Sequence, residues 1–412
     1  MPAALTPDLS DAFTVLLAGG QGSRLHELTS RECKPALPFA GNRRIVDFTM
    51  ANAVRSGLTR MIVATQYRPE TLAQHLAARW APSFTRLDIR EGRKVTGRPE
   101  GYAGTAAAVT ANLAEIEASG AREIVVLAGD HVYEMDYAAM VASHRASGAE
   151  VTVAVDTVDI AEAHAFGVVL ADEQGCIRSF IEKPKHAPQN PLLPGKVMVS
   201  MGIYVFSRDW LVQALREDAA TASSHDFGHD ILPRAVAQGV AFAHRAPAQD
   251  GAFYWRDVGT LDAYRTAQLE FLQAEPPCAL PERRMPSQNE LSAATGDLIQ
   301  FAYQMQAGGL SLRAPRWNGG ETGRWTLLDE TVVMPGARLA PGVRLTKAIV
   351  APGTSVPEGL VVGEDPEEDA RWFRRTEGGT TLITTAMLAR RGADRRKPIF
   401  APHINAFLGR SA

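Results

Sequence analysis

Two short apolar runs, each emptying into glycine, constrain this chain more than any other feature. Phe13 to Ala18 leads into Gly19-Gly20-Gln21-Gly22-Ser23-Arg24-Leu25, and Glu123 to Ala128 leads into Gly129-Asp130. A brief aliphatic run without polar alternation reads as a strand buried on both faces, the habit of parallel sheets. Arg60 to Thr65 reads as another strand, behind a helix around Phe48 to Ser56. A helix over Tyr137 to Ala146 precedes a strand at Val151 to Val155, and Gly202 to Phe206 follows later. This alternation predicts an α/β fold with a doubly wound, mostly parallel sheet and ligands at the carboxyl ends of its strands. Both glycine turns then fall on one rim.

Glycines at a strand end let the backbone approach an anion, so that peptide N–H groups can hold a phosphate. Arg24 and, a little downstream, Lys34 add full positive charge beside that cradle, as a triphosphate requires. The competing reading is steric, since tight strand-to-helix turns favour glycine for their own sake. Neither common phosphate loop is present: there is no GxxxxGKS/T, and the spacing misses GxGxxG. P-loop hydrolases and nicotinamide dehydrogenases are disfavoured.

Other segments carry candidate chemistry. Asp130 follows a buried strand, where a carboxylate either holds a divalent cation or caps the next segment. Trp255-Arg256-Asp257-Val258-Gly259-Thr260 supplies a second aspartate, and the sequence does not show whether the two meet. Phe180-Ile181-Glu182-Lys183-Pro184 puts a charged pair at the end of an apolar run, suited to a sugar phosphate or simply solvated. Ser223-Ser224-His225-Asp226-Phe227-Gly228 holds serine, histidine and aspartate, but neighbours in one loop do not easily reach triad geometry.

At 412 residues and 45% hydrophobic content the chain can fill two or three cores. Its formal charge of −3 offers no general attraction to nucleic acid or an anionic membrane. Three dispersed cysteines, Cys33, Cys176 and Cys278, form no CxxC site and suit a reducing compartment. No secretory signal is expected in the first residues, nor any membrane span, so a cytoplasmic protein is expected. Residues 11–272 read as one domain and 273–325 as a linker and irregular segment. From Thr331, short aliphatic stretches turn at Pro335-Gly336, Pro341-Gly342 and Pro352-Gly353, which predicts a short left-handed parallel β-helix over 326–390. A basic tail, 391–412, closes the chain.

Taken in order, GGQGSRL, ECKPALPF, RIVDF, ATQY, YAGTAAAV, LAGDHVY, FGV, FIEKP, SMGIYVF, SSHDFGHDILP, YWRDVGTLDAY and VPEGLVVGED resemble the bacterial ADP-glucose pyrophosphorylases (glucose-1-phosphate adenylyltransferases). The resemblance implies a Rossmann-like nucleotidyltransferase domain followed by a β-helix, usually in a homotetramer. It implies ATP and glucose 1-phosphate as substrates and Mg²⁺ as cofactor. By the same resemblance Gly19, Gly20, Gly22, Arg24 and Gly104 would bind the nucleotide, and Arg24, Lys34 and Asp130 would be catalytic. Asp130 and Asp257 would hold the metal. Tyr102, Gly167, Glu182, Lys183, Ser200, Tyr204, Asp226, Phe227 and Trp255 would line the glucose 1-phosphate pocket.

The chain departs from the family's pattern at several points. Glu91-Gly92-Arg93-Lys94-Val95 stands where the family carries a glutamine-containing segment that reads the base. Gly101-Tyr102-Ala103 and Ala107 replace other family residues. Glu32 stands where the family has a basic residue, near bound sugar-phosphate activators, so a sugar-phosphate effector is expected to act weakly or not at all. A non-catalytic regulatory subunit and an enzyme using another nucleoside triphosphate are the alternative readings.

Overall fold

The computed structural model describes residues 8–188, 193–246, 253–273, 276–282, 311–313 and 326–395. The chain divides into two compact units, the first holding the described residues up to Glu282 and the second those from Ser311. Most of the expected linker and the tail from residue 396 lie outside the described residues. No helix among those described is long and apolar enough to cross a membrane.

The first unit begins with β1 (Ala12–Leu17), β2 (Pro38–Phe39), β3 (Arg43–Arg44) and α1 (Val46–Arg55). β4 (Arg60–Thr65), α2 (Glu70–Arg79), β5 (Arg86–Glu91), α3 (Gly92–Thr96), α4 (Thr105–Thr110) and α5 (Leu113–Ala118) follow. Then come β6 (Glu123–Ala128), β7 (His131–Tyr133), α6 (Tyr137–Ser147), β8 (Val151–Asp159), β9 (Gly167–Ala171) and β10 (Ile177–Glu182). β11 (Lys196–Ser207), α7 (Arg208–Ala219), α8 (Leu232–Ala237), β12 (Ala241–Arg245), β13 (Trp255–Asp257) and α9 (Leu261–Glu270) complete it.

Nine strands form the main sheet, ordered β10-β9-β11-β6-β1-β4-β5, with β8 pairing both β11 and β12. β5, β4, β1 and β6 run parallel, whereas β11 joins β6 antiparallel. Alternation along each strand feeds two cores. Phe13, Val15, Ile62 and Val126 face α4, α5, α7 and α8, while Leu16, Val63 and Leu127 face α1, α2 and α6. Each large side chain so buried contributes about 1.5–3 kcal/mol. β1 is followed by β4 on one side and flanked by β6 on the other. The crevice outside its carboxyl end is therefore a topological switch point, where open α/β sheets bind ligands.

The second unit is coiled. Leu327 pairs with Arg344, Val332 with Ile349 and Arg338 with Ser355, all parallel, so three short sheets repeat in step. Gly336 and Gly353 turn the corners at φ +76 and +67, values that L side chains rarely adopt. A helix, Pro366–Trp372, interrupts the coils before Thr381–Ile383 rejoins them. Two of the basic residues near the tail have internal partners: Arg390 donates to the Trp372 carbonyl at 2.7 Å, and Arg391 pairs with Glu368 at 3.7 Å.

Candidate active site

Leu17 lies level with Ala128 in the β1–β6 ladder, and the Gly129 N–H donates to the Leu17 carbonyl at 3.0 Å. Gly19-Gly20 and Asp130 therefore leave the sheet as neighbours. Gly22 takes φ +68, and a Cβ there would stand 2.8 Å from the Lys34 Cβ. Glycine at that position lets the Lys34 segment pass close behind the turn. That segment is pinned from the far side as well. Phe39 meets Phe48, Tyr264 and Phe271 edge-on, with centroids 5.4 to 6.0 Å apart. Tyr264 and Gln268 of α9 both donate to the Pro38 carbonyl. Just before α9, β13 pairs with β7 so that Asp257 stands level with His131.

These elements converge on one charged cluster. The Lys34 ammonium lies 2.7 Å from Asp257 Oδ1 and 3.1 Å from Asp130 Oδ2. The Arg24 guanidinium reaches Asp257 Oδ2 at 3.3 Å, and His131 Nε2 stands 3.6 Å from Asp130 and 3.9 Å from Asp257. The Lys34 side chain is only 4% exposed, against 33% for Asp130. Burial disfavours charge on all three central groups, but their mutual attraction outweighs it. Burial alone would raise Asp257, yet Lys34, His131 and Arg24 hold it far below the usual carboxylate range. Asp130 is lowered too, with Lys34 and His131 overcoming burial and the neighbouring Asp257. Burial would lower Lys34, and the two aspartates raise it instead. Among the described residues no three His, Cys, Asp or Glu converge as a metal cage. Two hard carboxylates beside an open cavity nonetheless suit a cation that takes its remaining oxygens from phosphate and water.

A cavity of about 520 Å³ opens beside the cluster. Gly19, Gly20, Gln66, Tyr102, Gly104 and Thr105 form part of its wall, and Asp130 and His131 also line it. Glu182, Lys183, Tyr204, Asp226, Phe227 and Gly228 line it from another part of the chain. Glu182 accepts from the Lys183 ammonium at 2.6 Å. A Cβ on Gly228 would lie 2.5 Å from Glu182 Oε2, so glycine there leaves room for the carboxylate. Burial pushes the Tyr204 phenol well up, keeping it neutral.

The nucleotidyl transferase family model matches residues 13–274, and the GlmU-like C-terminal hexapeptide model matches residues 318–383. The glucose-1-phosphate adenylyltransferase of Jannaschia sp. (strain CCS1) is 42% identical over 92% of this chain and 97% of its own. Those of Novosphingobium aromaticivorans and Bradyrhizobium diazoefficiens are each 40% identical over 93% of this chain, and 97% and 98% of their own. The chain belongs to the glucose-1-phosphate adenylyltransferase family. The coils of its second unit are a left-handed hexapeptide β-helix.

In this adenylyltransferase-family chain the structure gathers Gly19, Gly20, Gly104, Tyr102, Asp130, Glu182, Lys183, Tyr204, Asp226 and Phe227 at the cavity wall. Arg24, Lys34 and Asp257 stand in the adjoining charged cluster. Gly22, Gly167, Ser200 and Trp255 are not on the wall but behind it. A Cβ on Gly167 would meet Phe180 at 2.4 Å and Glu182 at 2.9 Å. Ser200 Oγ accepts from the Gly202 N–H at 3.2 Å and donates toward the Tyr204 hydroxyl at 3.4 Å. Trp255, 4% exposed, packs edge-on against His131 at 5.3 Å. The Asp226 carboxylate is engaged by the chain itself, accepting from the Gly228 and His229 N–H groups and from Thr105 Oγ1.

Sequence reasoning gave no role to Gln66, Thr105, His131 or Gly228. Gln66 accepts from the Tyr102 N–H at 2.6 Å and donates to its carbonyl at 3.2 Å, tying the end of β4 to the 101–104 strip. All four lie inside or beside segments already quoted, and the missing signal was which backbone they face. The altered Glu91–Val95 stretch ends β5 and forms most of α3, with Lys94 paired to Glu91 at 2.7 Å. Glu32 pairs with Arg44 at 3.1 Å, so its charge faces a cation of the same loop.

Proposed function

We propose that this chain transfers the adenylyl group of ATP to glucose 1-phosphate, forming ADP-glucose and pyrophosphate for α-glucan (glycogen) synthesis. The observation that carries the reading is the buried Lys34 ammonium held between Asp130 and Asp257 beside a glycine turn at the switch point. In this reading a phosphate oxygen of glucose 1-phosphate attacks the α-phosphorus of ATP in line. The bond to the β-phosphate oxygen breaks, and pyrophosphate leaves with that electron pair. The chain's work is positioning and charge stabilisation, with no covalent intermediate.

Peptide N–H groups of Gly19 and Gly20 hold triphosphate oxygens, and Arg24 and Lys34 face the charge that develops on them. Asp130 and Asp257 would hold Mg²⁺, which would offset the negative charge of the phosphates. Lys183 turns from Glu182 to the sugar phosphate, leaving Glu182 free to accept sugar hydroxyls. Ser200 and Trp255 fix Tyr204 and His131 from behind. The same reading takes the working form as a cytoplasmic homotetramer with at most a weak sugar-phosphate effector.

Pyrophosphate release from glucose 1-phosphate and Mg²⁺ with ATP, UTP, GTP or CTP in turn tests the reading. Release with ATP well above the other three is expected. Preference for another triphosphate would transfer the reading to that nucleotide, and no release with any would leave a non-catalytic subunit.

A further inference from the structure

Asp218 in the last turn of α7, with Ser223 and His225 in the loop that follows, forms a closed bracket behind the cavity. His225 Nδ1 lies 2.7 Å from Asp218 Oδ2 and 2.8 Å from Ser223 Oγ. The Ser223 hydroxyl donates to Asp218 Oδ1 at 2.7 Å and accepts from the His225 N–H at 3.1 Å. Both partners therefore meet the same ring nitrogen. A Ser-His-Asp triad needs them on opposite nitrogens, aspartate on Nδ1 and serine on Nε2. This is no nucleophile's triad. It clamps the backbone of His225, which takes φ +53, a conformation a histidine keeps only when its surroundings impose it.

The clamped backbone has a specific task. The His225 carbonyl accepts from the Ala106 and Ala107 N–H groups at 2.9 and 3.1 Å, satisfying amides in the first turn of α4. Gly104, at the cap position of that helix, has no side chain to do so. The approach is close: a Cβ on Gly104 would lie 2.3 Å from the same carbonyl. One step along, Thr105 Oγ1 donates to Asp226 Oδ2 at 2.8 Å and accepts from the Phe227 N–H at 3.0 Å. Gly104 and Thr105 thus meet Asp226 and Phe227 along one seam of the cavity wall.

We propose that the Asp218–Ser223–His225 bracket positions the two substrates relative to each other, by locking the seam where the nucleotide-binding strip at Gly104–Thr105 joins the sugar-binding strip at Asp226–Phe227. The proposal rests on the two-substrate reading of the cavity. His225 is a positioning residue, acting through its own carbonyl and not on either substrate.

Four variants separate this role from others. His225→Ala removes the Nδ1 donor. His225→Asn restores a donor at the same place in the side chain and tolerates positive φ, whereas His225→Gln places it further out, near where Nε2 stood. Ser223→Ala loosens the bracket without touching the imidazole. The Michaelis constants for glucose 1-phosphate and the triphosphate should rise together, on the order of tenfold in His225→Ala, because small displacements of binding groups are costly. Both should rise less in Ser223→Ala, return to within about twofold in His225→Asn, and stay high in His225→Gln.

A rise for one substrate alone, rescue by Gln but not Asn, or a lowered melting temperature with both constants unmoved would each overturn the proposal. Should His225→Ala fail to fold, Ser223→Ala against His225→Asn makes the same comparison. Unmodified protein that turns over no triphosphate would sink the proposed function instead. Calorimetric binding of glucose 1-phosphate and ATP would then decide the bracket without turnover.

Discussion

Asp130 presents a third of its side chain to the outside while Asp257 is closed in at 12%, so the two carboxylates differ in what they can reach. Asp130→Asn should leave the fold intact, since Lys34 keeps Asp257, yet cut turnover by roughly several hundredfold or more, the loss typical of one charge-stabilising group in a site closed to water. Near-normal turnover at saturating Mg²⁺ would remove Asp130 from the proposed chemistry. Lys183, 59% exposed and paired with its neighbour Glu182, should act by charge on the sugar phosphate. Lys183→Gln is expected to raise the Michaelis constant for glucose 1-phosphate far more than that for ATP; the opposite ranking would assign this wall to the nucleotide. Titration gives a third check. The lowered pKa values of Asp130 and Asp257 mean that their contribution to stability is present above about pH 4, the unfolded value, and is lost as the pH falls toward their folded values. Lys34, raised above 10.5, keeps its contribution until the pH climbs beyond that. The melting-temperature difference between the unmodified protein and Asp257→Asn should therefore hold through neutral pH and shrink below about pH 4. A difference unchanged in strong acid would contradict the ion-pair account. Lys34 and Asp257 were legible because they stand in ECKPALPF and YWRDVGTLDAY, two of the segments that carry the family resemblance. His225 and Gln66 were not, because each works on a backbone group far away in sequence, and nothing in local spacing records that.

At the scale of elements, strands ending in glycine were legible because burial on both faces leaves an unbroken aliphatic run. Arg60 to Thr65 and Glu123 to Ala128 stand as read. Strand direction was less so. β11 extends over 12 residues, joins β6 and β8 antiparallel, and shifts register between Ser200 and Tyr204. Hydrophobic pattern carries no sign of which way a neighbour runs. The loop from Glu32 to Arg44 shows the same limit. No partner for Arg44 was legible from the sequence, yet its guanidinium bridges Glu32 and the Ala36 carbonyl, and the Arg44 N–H donates to buried Asp47 at 2.9 Å. Asp47 also accepts from Trp80 and His75, each at 2.6 Å. An anionic effector meeting this loop finds Arg44 already engaged and Glu32 beside it. Activation by fructose 6-phosphate or fructose 1,6-bisphosphate should accordingly be weak or absent, with Glu32→Arg strengthening any residual response. Activity measured against effector concentration at subsaturating substrates tests this, and strong activation of the unmodified protein would refute it.

At the scale of the whole molecule, the change of rhythm after the first unit was legible because proline-glycine corners recur at short intervals, and the coils pair in register at a constant step of 17 residues. Overall charge said only what to discount. A chain of net −3 exerts no long-range pull on a triphosphate. Nor does the site make up for it locally, because Arg24 and Lys34 are already paired with aspartates and Lys183 with Glu182. Seen from a Debye length away, such a pocket has almost no field. A nucleotide then arrives by ordinary diffusion, and only on touching the wall do the cations exchange an internal partner for an external one. The encounter rate measured by stopped flow should hence be nearly flat with ionic strength. Whatever salt sensitivity the binding shows would belong to departure, when the nucleotide lets go and the aspartates reclaim their lysine and arginine.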